Sequence, residues 1–118
     1  TDLFAVDVEN KRTKIKTGLI LNRTAITSNY SVLVSDYYVG IDTATPTAVI
    51  TASLPAAESL QSGQTFVFKD EGGSADQYSI VIKASGSQKI DNQNQVILQS
   101  PRAALTIYTD GASKFFIT

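Results

Sequence analysis

Apolar and polar residues alternate with period two along almost the whole chain, and no apolar 3.6-residue pattern persists anywhere. Phe4, Val6 and Val8 alternate with Leu3, Ala5 and Asp7. Tyr30, Val32 and Val34 share a face, and Ile50, Ala52 and Leu54 stand opposite Val49, Thr51 and Ser53. Phe66 aligns with Phe68, Tyr78 with Ile80 and Ile82, Leu105 with Ile107, and Phe115 with Ile117. Successive side chains of a strand point to opposite faces, so this pattern in β-branched and aromatic residues predicts strands. Turn-formers separate the runs: ENK, DTATP, QSG, DEGGSAD, ASGS, DNQNQ, QSP and TDGAS. A strand about every 8–12 residues predicts an all-β fold, a sandwich or a barrel, and the architecture expected is an antiparallel β-sandwich-like domain. PAAESLQS, residues 55–62, has a proline placed to start one helical turn and is too short for more.

A chain of 118 residues fits one domain. It has no cysteine, histidine, methionine or tryptophan. That excludes a disulfide framework and thiolate chemistry. It also excludes the usual neutral-pH general base, histidine-activated nucleophiles and most zinc or iron sites. No cofactor and no metal are expected. No apolar run approaches the roughly 20 residues of a membrane span, and no signal peptide is visible, so no membrane insertion is expected. The start at Thr1 reads as a fragment of a larger polypeptide. With a net charge of −1, no global field draws the chain to nucleic acid. Half of the basic residues, Lys11, Arg12, Lys14, Lys16 and Arg23, nevertheless lie in the first fifth of the chain. Lys14 and Lys16 flank Ile15 at strand spacing, which reads as a solvated face that discourages edge pairing, with binding to an acidic polymer as the alternative.

DEGGSADQYS, Asp70 to Ser79, falls between QTFVFK and YSIVIK, where a hairpin loop is expected. Gly72 and Gly73 would supply the positive φ angles that a tight connection needs. A phosphate loop needs a following helix and a Lys-Ser/Thr pair, and here a strand follows. Asp70, Glu71 and Asp76 match no EF-hand spacing. Glycoside cleavage needs two carboxylates and no histidine. Asp36 with Asp42, or Asp70 with Asp76, are the candidates, but each sits beside turn residues, where an Asp bonding its own backbone is the common role. No catalysis is expected. Tyr30, Tyr37, Tyr38, Tyr78 and Tyr108 suit stacking on sugar rings as well as strand packing, and Tyr37 and Tyr38 face opposite ways.

The order YSVLVSDYYVGIDTATPTAVITASLPAA, GQTFVFKDEGGSA, YSIVIKASGSQKID, ALTIYTDGASKFFIT resembles a module near the C-termini of bacteriophage tail fibres and tailspikes. The resemblance covers about residues 30–118. Asp36, Tyr37, Leu54, Pro55, Gly63, Gln64, Lys69, Asp70, Gly73, Ala75, Ile90, Asp91, Asp110 and Gly111 fall on its pattern. LFAVDVENKRTKIKTGLILN is similar to the short β repeats that lead into such modules on trimeric shafts. The chain departs from the pattern at Gln77-Tyr78-Ser79 before the Ile80 strand, at Asn92 in place of a glycine, and at Lys114-Phe115-Phe116 in place of an Asn-Trp type ending.

The resemblance implies a homotrimer at the tip of a virion fibre, with residues 1–29 a β-hairpin, shaft-like segment and 30–118 the sandwich tip domain. It implies attachment to a bacterial surface receptor, a glycan above all, or a purely structural trimer clamp. It also admits an accessory module of a polysaccharide-degrading tailspike whose catalysis lies upstream. Candidate receptor-binding residues are Asp91, Asn92, Gln93, Asn94 and Gln95 of DNQNQ, together with Tyr38. Candidate trimer-interface residues are Phe4, Val6 and Val8, since a lone two-stranded hairpin is marginal in water. Leu33, Val49, Val67, Val81, Tyr108 and Phe116 give most strands an apolar second face, to be covered by a sheet or by a subunit.

Overall fold

The computed structural model describes residues 3–118. It is all-β apart from one 3-10 turn, Ala57–Ser59. The twelve strands are β1 (Phe4–Asp7), β2 (Arg12–Ile15), β3 (Arg23–Ile26), β4 (Tyr30–Ser31), β5 (Tyr38–Ile41), β6 (Ile50–Ser53), β7 (Thr65–Asp70), β8 (Ile80–Lys83), β9 (Lys89–Ile90), β10 (Gln95–Leu98), β11 (Ala104–Thr109) and β12 (Lys114–Ile117). They form a β1-β2 hairpin, a four-stranded sheet in the order β10-β8-β6-β4, and a six-stranded sheet in the order β3-β5-β7-β11-β12-β9.

The sandwich is mixed, which corrects the expectation of an antiparallel one. From β3 to β8 each strand crosses to the opposite sheet, so strands two apart run the same way and pair in parallel. β3 pairs β5 and β5 pairs β7 in one sheet; β4 pairs β6 and β6 pairs β8 in the other. Antiparallel pairing returns where β10 adds to β8, β11 to β7 and β12 to β11. Period-two alternation fixes which side chains share a face, but it carries no information about the neighbouring strand. The connections, from three residues (27–29) upward, reach across the roughly 10 Å between packed sheets.

One core lies between the sheets. Val39, Ile41, Phe66, Phe68, Ile107 and Phe115 from the six-stranded sheet meet Ile50, Ala52, Ile80 and Ile82 from the four-stranded one, and all are buried. The inner face of β5-β7-β11 is laid down by register: Val39 lies beside Phe68, and Phe68 beside Leu105. β3, which falls within the segment expected to lead into the tip, is an edge strand of the six-stranded sheet.

The β1-β2 hairpin pairs only with itself, in the register Phe4 with Ile15 and Val6 with Thr13. Every residue from Val8 to Ile20 is exposed. The radius of gyration is 16.0 Å and the molecule measures 50 × 32 × 20 Å, whereas a compact domain of this length has a radius of about 13–14 Å. β1 ends at Asp7, so Val8 lies in the turn rather than on the strand with Phe4 and Val6. The cause is Asp7 itself: its carboxylate accepts the Asn10 amide at 3.1 Å and the Asn10 side chain at 3.0 Å, closing the reversal one residue early.

Candidate functional site at the Ile90–Gln93 turn

The candidate loops divide into those whose polar groups are used up by the fold and those that are not. DEGGSADQYS belongs to the first group and is not a hairpin. It carries the chain from β7 in one sheet to β8 in the other. Asp70 ends β7 on the inner face, fully buried, and its carboxylate accepts three backbone amides: Gly73 at 2.9 Å, Ala75 at 3.1 Å and Arg102 at 2.9 Å. Gly73 is the glycine with positive φ, +80°, and Arg102 lies against it. Gly72 has no positive φ; it is small because Asp42 sits over it, with Oδ1 only 2.3 Å from where a Cβ would stand. Asp76 is exposed.

Asp36 and Asp42 are used in the same way. Asp36 accepts the Thr24 hydroxyl at 2.6 Å, the Tyr30 hydroxyl at 2.7 Å and the Leu33 amide at 2.8 Å, joining β3, β4 and the loop before β5. Burial pushes its carboxyl up, but those three donors outweigh burial and hold it below the ordinary carboxylate value. Tyr30 is pushed up, by burial first and then by its bond to Asp36. The Thr45 hydroxyl and amide, together with the Ala44 amide, hold Asp42 below its ordinary value.

The DNQNQ segment differs. Ile90 and Gln93 exchange backbone bonds, Ile90 N to Gln93 O at 2.7 Å and Gln93 N to Ile90 O at 2.9 Å. The two residues between them are both left-handed, Asp91 at φ +45° and Asn92 at φ +66°. Positive φ at both central positions marks a type I′ reversal, where Asn and Asp are the tolerated alternatives to glycine. Asn92 is therefore at a position that a glycine would also fill. Asp91 is tied to β12 twice, its amide donating to Phe115 O at 3.0 Å and its Oδ1 accepting from Ile117 N at 3.3 Å.

The turn forms one side of an open cleft of about 260 Å³, lined by Lys89, Asp91, Asn92, Lys114, Phe115 and Phe116. The parallel β9-β12 register sets Lys89 directly beside Lys114. Of the sequence candidates, Asp91 and Asn92 line this cleft. Asn94 stands behind it, accepting a hydrogen bond from Lys89 Nζ. Gln93 closes the turn, and Gln95 lies on β10, paired with Lys83.

Tyr38 is not brought to this place. It lies on the outer face of β5, four strand spacings from β9, or about 19 Å at 4.8 Å per spacing. There it packs edge-on against Tyr37 at 4.8 Å and adjoins Val67. Reasoning from sequence missed Lys89, Lys114 and Phe116 as neighbours of the turn. Their proximity rests on a parallel pairing between a two-residue strand and the last strand, which no local pattern announces.

Phe4, Val6 and Val8 are 61%, 57% and 79% exposed in the single chain. Leu19 and Ile20, in the linker after the hairpin, are also exposed and were not among the sequence candidates. The second apolar face is not buried between the two sheets. Leu33, Val49 and Tyr108 are exposed, and Val67, Val81 and Phe116 lie half-buried. Among the described residues no helix is long and apolar enough to cross a membrane. No protein-family model matches the chain, and no curated protein does.

Proposed function

We propose that this chain is the C-terminal domain of a bacteriophage tail fibre or tailspike, a homotrimer on the virion that closes the fibre and attaches it to a glycan on the bacterial surface. The observation that carries the reading is the run of uncovered apolar side chains on residues 3–20. Leu3, Phe4, Val6, Val8, Ile15, Leu19 and Ile20 are all exposed, and the two strands among them make no sheet with the rest of the chain. Monomeric proteins rarely leave such a surface open, and three copies about one axis would cover the Phe4, Val6 and Ile15 face of the hairpin. Lys14 and Lys16 would face water, because Lys14 lies opposite Ala5, on the other face of the hairpin from Phe4, Val6 and Ile15.

In this reading the domain does no catalysis. Asp36, Asp42 and Asp70 already spend their oxygens on hydrogen bonds that hold the fold. The outer face of the six-stranded sheet favours a second reading, a clamp without receptor contact. Tyr38, Val67, Tyr108 and Phe116 there would bury against neighbouring subunits instead of meeting a ligand.

The test is mass in solution by light scattering or native mass spectrometry. Burying Phe4 and Val6 contributes at most about 1.5–3 kcal/mol each per subunit, so Phe4→Asp should shift the protein from trimer to monomer while Lys14→Ser should not. A wild-type protein that is a stable monomer at micromolar concentration sinks the trimer and with it the fibre reading.

A further inference from the structure

The cleft beside the Ile90–Gln93 turn holds two cations side by side. Lys89 and Lys114 are direct neighbours in the parallel β9-β12 register, and adjacent like charges weaken a strand pair. Ion pairs among the described residues join Arg12 to Asp7 and Arg23 to Glu71; neither lysine takes part in one. Lys89 Nζ donates to the neutral side chain of Asn94. Each carboxylate nearby has one oxygen engaged by backbone, and Asp110, held below its ordinary value by those backbone amides, is also lowered by the charge of Lys114. Asp91 Oδ1 accepts from Ile117 N, and Asp110 Oδ1 accepts the amides of Ala112, Ser113 and Lys114 at 2.9–3.0 Å. Phe116 lines the same cleft, its ring steadied by Tyr108 at a centroid distance of 5.4 Å, and Asn92 lines it with a side-chain amide.

Paired ammonium groups, an aromatic wall and an amide make a set that suits a sugar carrying an anionic substituent. Ammonium groups take the anion by charge-assisted hydrogen bonds. The ring of Phe116 offers an apolar surface to the C–H face of a pyranose, and an amide both donates to and accepts from hydroxyls. We propose that this cleft is the subsite for an anionic sugar, with Lys89 and Lys114 on its carboxylate or phosphate, Phe116 against the ring and Asn92 on a hydroxyl. The proposal rests on the glycan-attachment reading and narrows it to a substrate class. Both lysines are exposed, so the subsite is shallow and weak for one chain, and multivalent presentation would raise its avidity.

The experiment uses the full chain on an array of neutral, carboxylate-bearing and phosphate-bearing polysaccharides, followed by amide NMR titration with oligogalacturonate, a neutral galacto-oligosaccharide and a glycerol-phosphate oligomer. Binding should be confined to the anionic classes, should shift the amides of Asn92 and Phe116, and should weaken as salt rises. Which anionic oligomer binds identifies the substituent. The double variant Lys89→Gln/Lys114→Gln should bind about two- to 25-fold more weakly, from about 1.4- to fivefold for each exposed charge contact. Asp91→Asn removes a negative charge from the same cleft, keeps a residue that tolerates positive φ, and should bind more tightly. Circular dichroism checks that the variants remain folded. Binding confined to neutral glycans, or anionic binding untouched by the lysine changes, overturns the subsite and leaves glycan attachment standing. Binding to no polysaccharide of any class overturns both.

Discussion

Replacing Asp70 with Asn tests the assignment of the DEGGSADQYS crossover as a built connection rather than a ligand loop. Oδ1 accepts the Gly73 amide, and Oδ2 accepts those of Ala75 and Arg102, at 2.9–3.1 Å around a fully buried side chain. An asparagine can keep its oxygen where Oδ2 stands and so retain two of the three bonds. Its NH₂ group then faces the Gly73 N–H, and two donors are left without acceptors. A hydrogen bond to a charged group is worth about 1.5–3 kcal/mol, and a buried unsatisfied donor costs about 1–3 kcal/mol. Asp70→Asn should therefore destabilise by about 2–4 kcal/mol, a large part of the roughly 5–15 kcal/mol that holds a domain of this kind together. Asp76→Asn, at an exposed position of the same loop, should stay within about 0.5 kcal/mol. Gly73→Val should fail too, because it needs φ +80° and puts a Cβ 2.9 Å from Arg102 Nε. The assay is guanidinium unfolding at one protomer concentration, read from the midpoint at constant slope. An Asp70→Asn midpoint equal to wild type would refute the capping role. Calcium that raises the wild-type midpoint and leaves that of Asp76→Asn unmoved would restore a metal site.

Two further outcomes follow from the same hydrogen bonding. Asp36 is held below its ordinary carboxylate value, so its contribution to stability is fully present above pH about 4 and is lost as pH falls through its lower folded value; stability measured from pH 6 to pH 2 should drop below that point, and Asp36→Asn should flatten the drop at the cost of stability at neutral pH. At the Ile90–Gln93 turn, Asn92→Gly should be neutral or stabilising, whereas Asn92→Val, which places a β-branched residue at φ +66°, should cost about 1–2 kcal/mol by thermal melting.

The strands were legible because their chemistry is local. QTFVFK, IVIK and ALTIYT place Phe66 and Phe68, Ile80 and Ile82, and Leu105 and Ile107 inside, as their alternation requires. TDGAS is the β11-β12 reversal, with Asp110 accepting three amides across it. Partnership between strands was not legible. Nothing in DEGGSADQYS distinguishes a loop that returns to its own sheet from one that crosses to the other; the deciding features are the burial of Asp70 and its bond to Arg102, 32 residues away. The candidate site was half legible for the same reason. Asp91 and Asn92 announce a turn, but Lys89 reaches Lys114 only through a parallel pairing across 25 positions of sequence.

The same alternation has opposite outcomes in different parts of the chain, and that contrast bears on assembly. Phe66 and Phe68 are fully buried, whereas Phe4 and Val6, spaced identically, are 61% and 57% exposed. Period two selects a face but says nothing about whether a second layer covers it. For β5 to β12 that layer is the opposite sheet, supplied by the chain itself. For β1 and β2 the described residues supply none, although the hairpin is closed by Asp7 and lined on one side by Phe4, Val6 and Ile15. A two-stranded ribbon in water gains too little from four residue pairs to offset the entropy of ordering them. The sandwich can therefore be stable as one chain, while the hairpin gains its stability from whatever covers Phe4 and Val6. In the trimer proposed above, a second and a third copy of the stripe would meet that need through head-to-tail contacts that close into a ring about the axis.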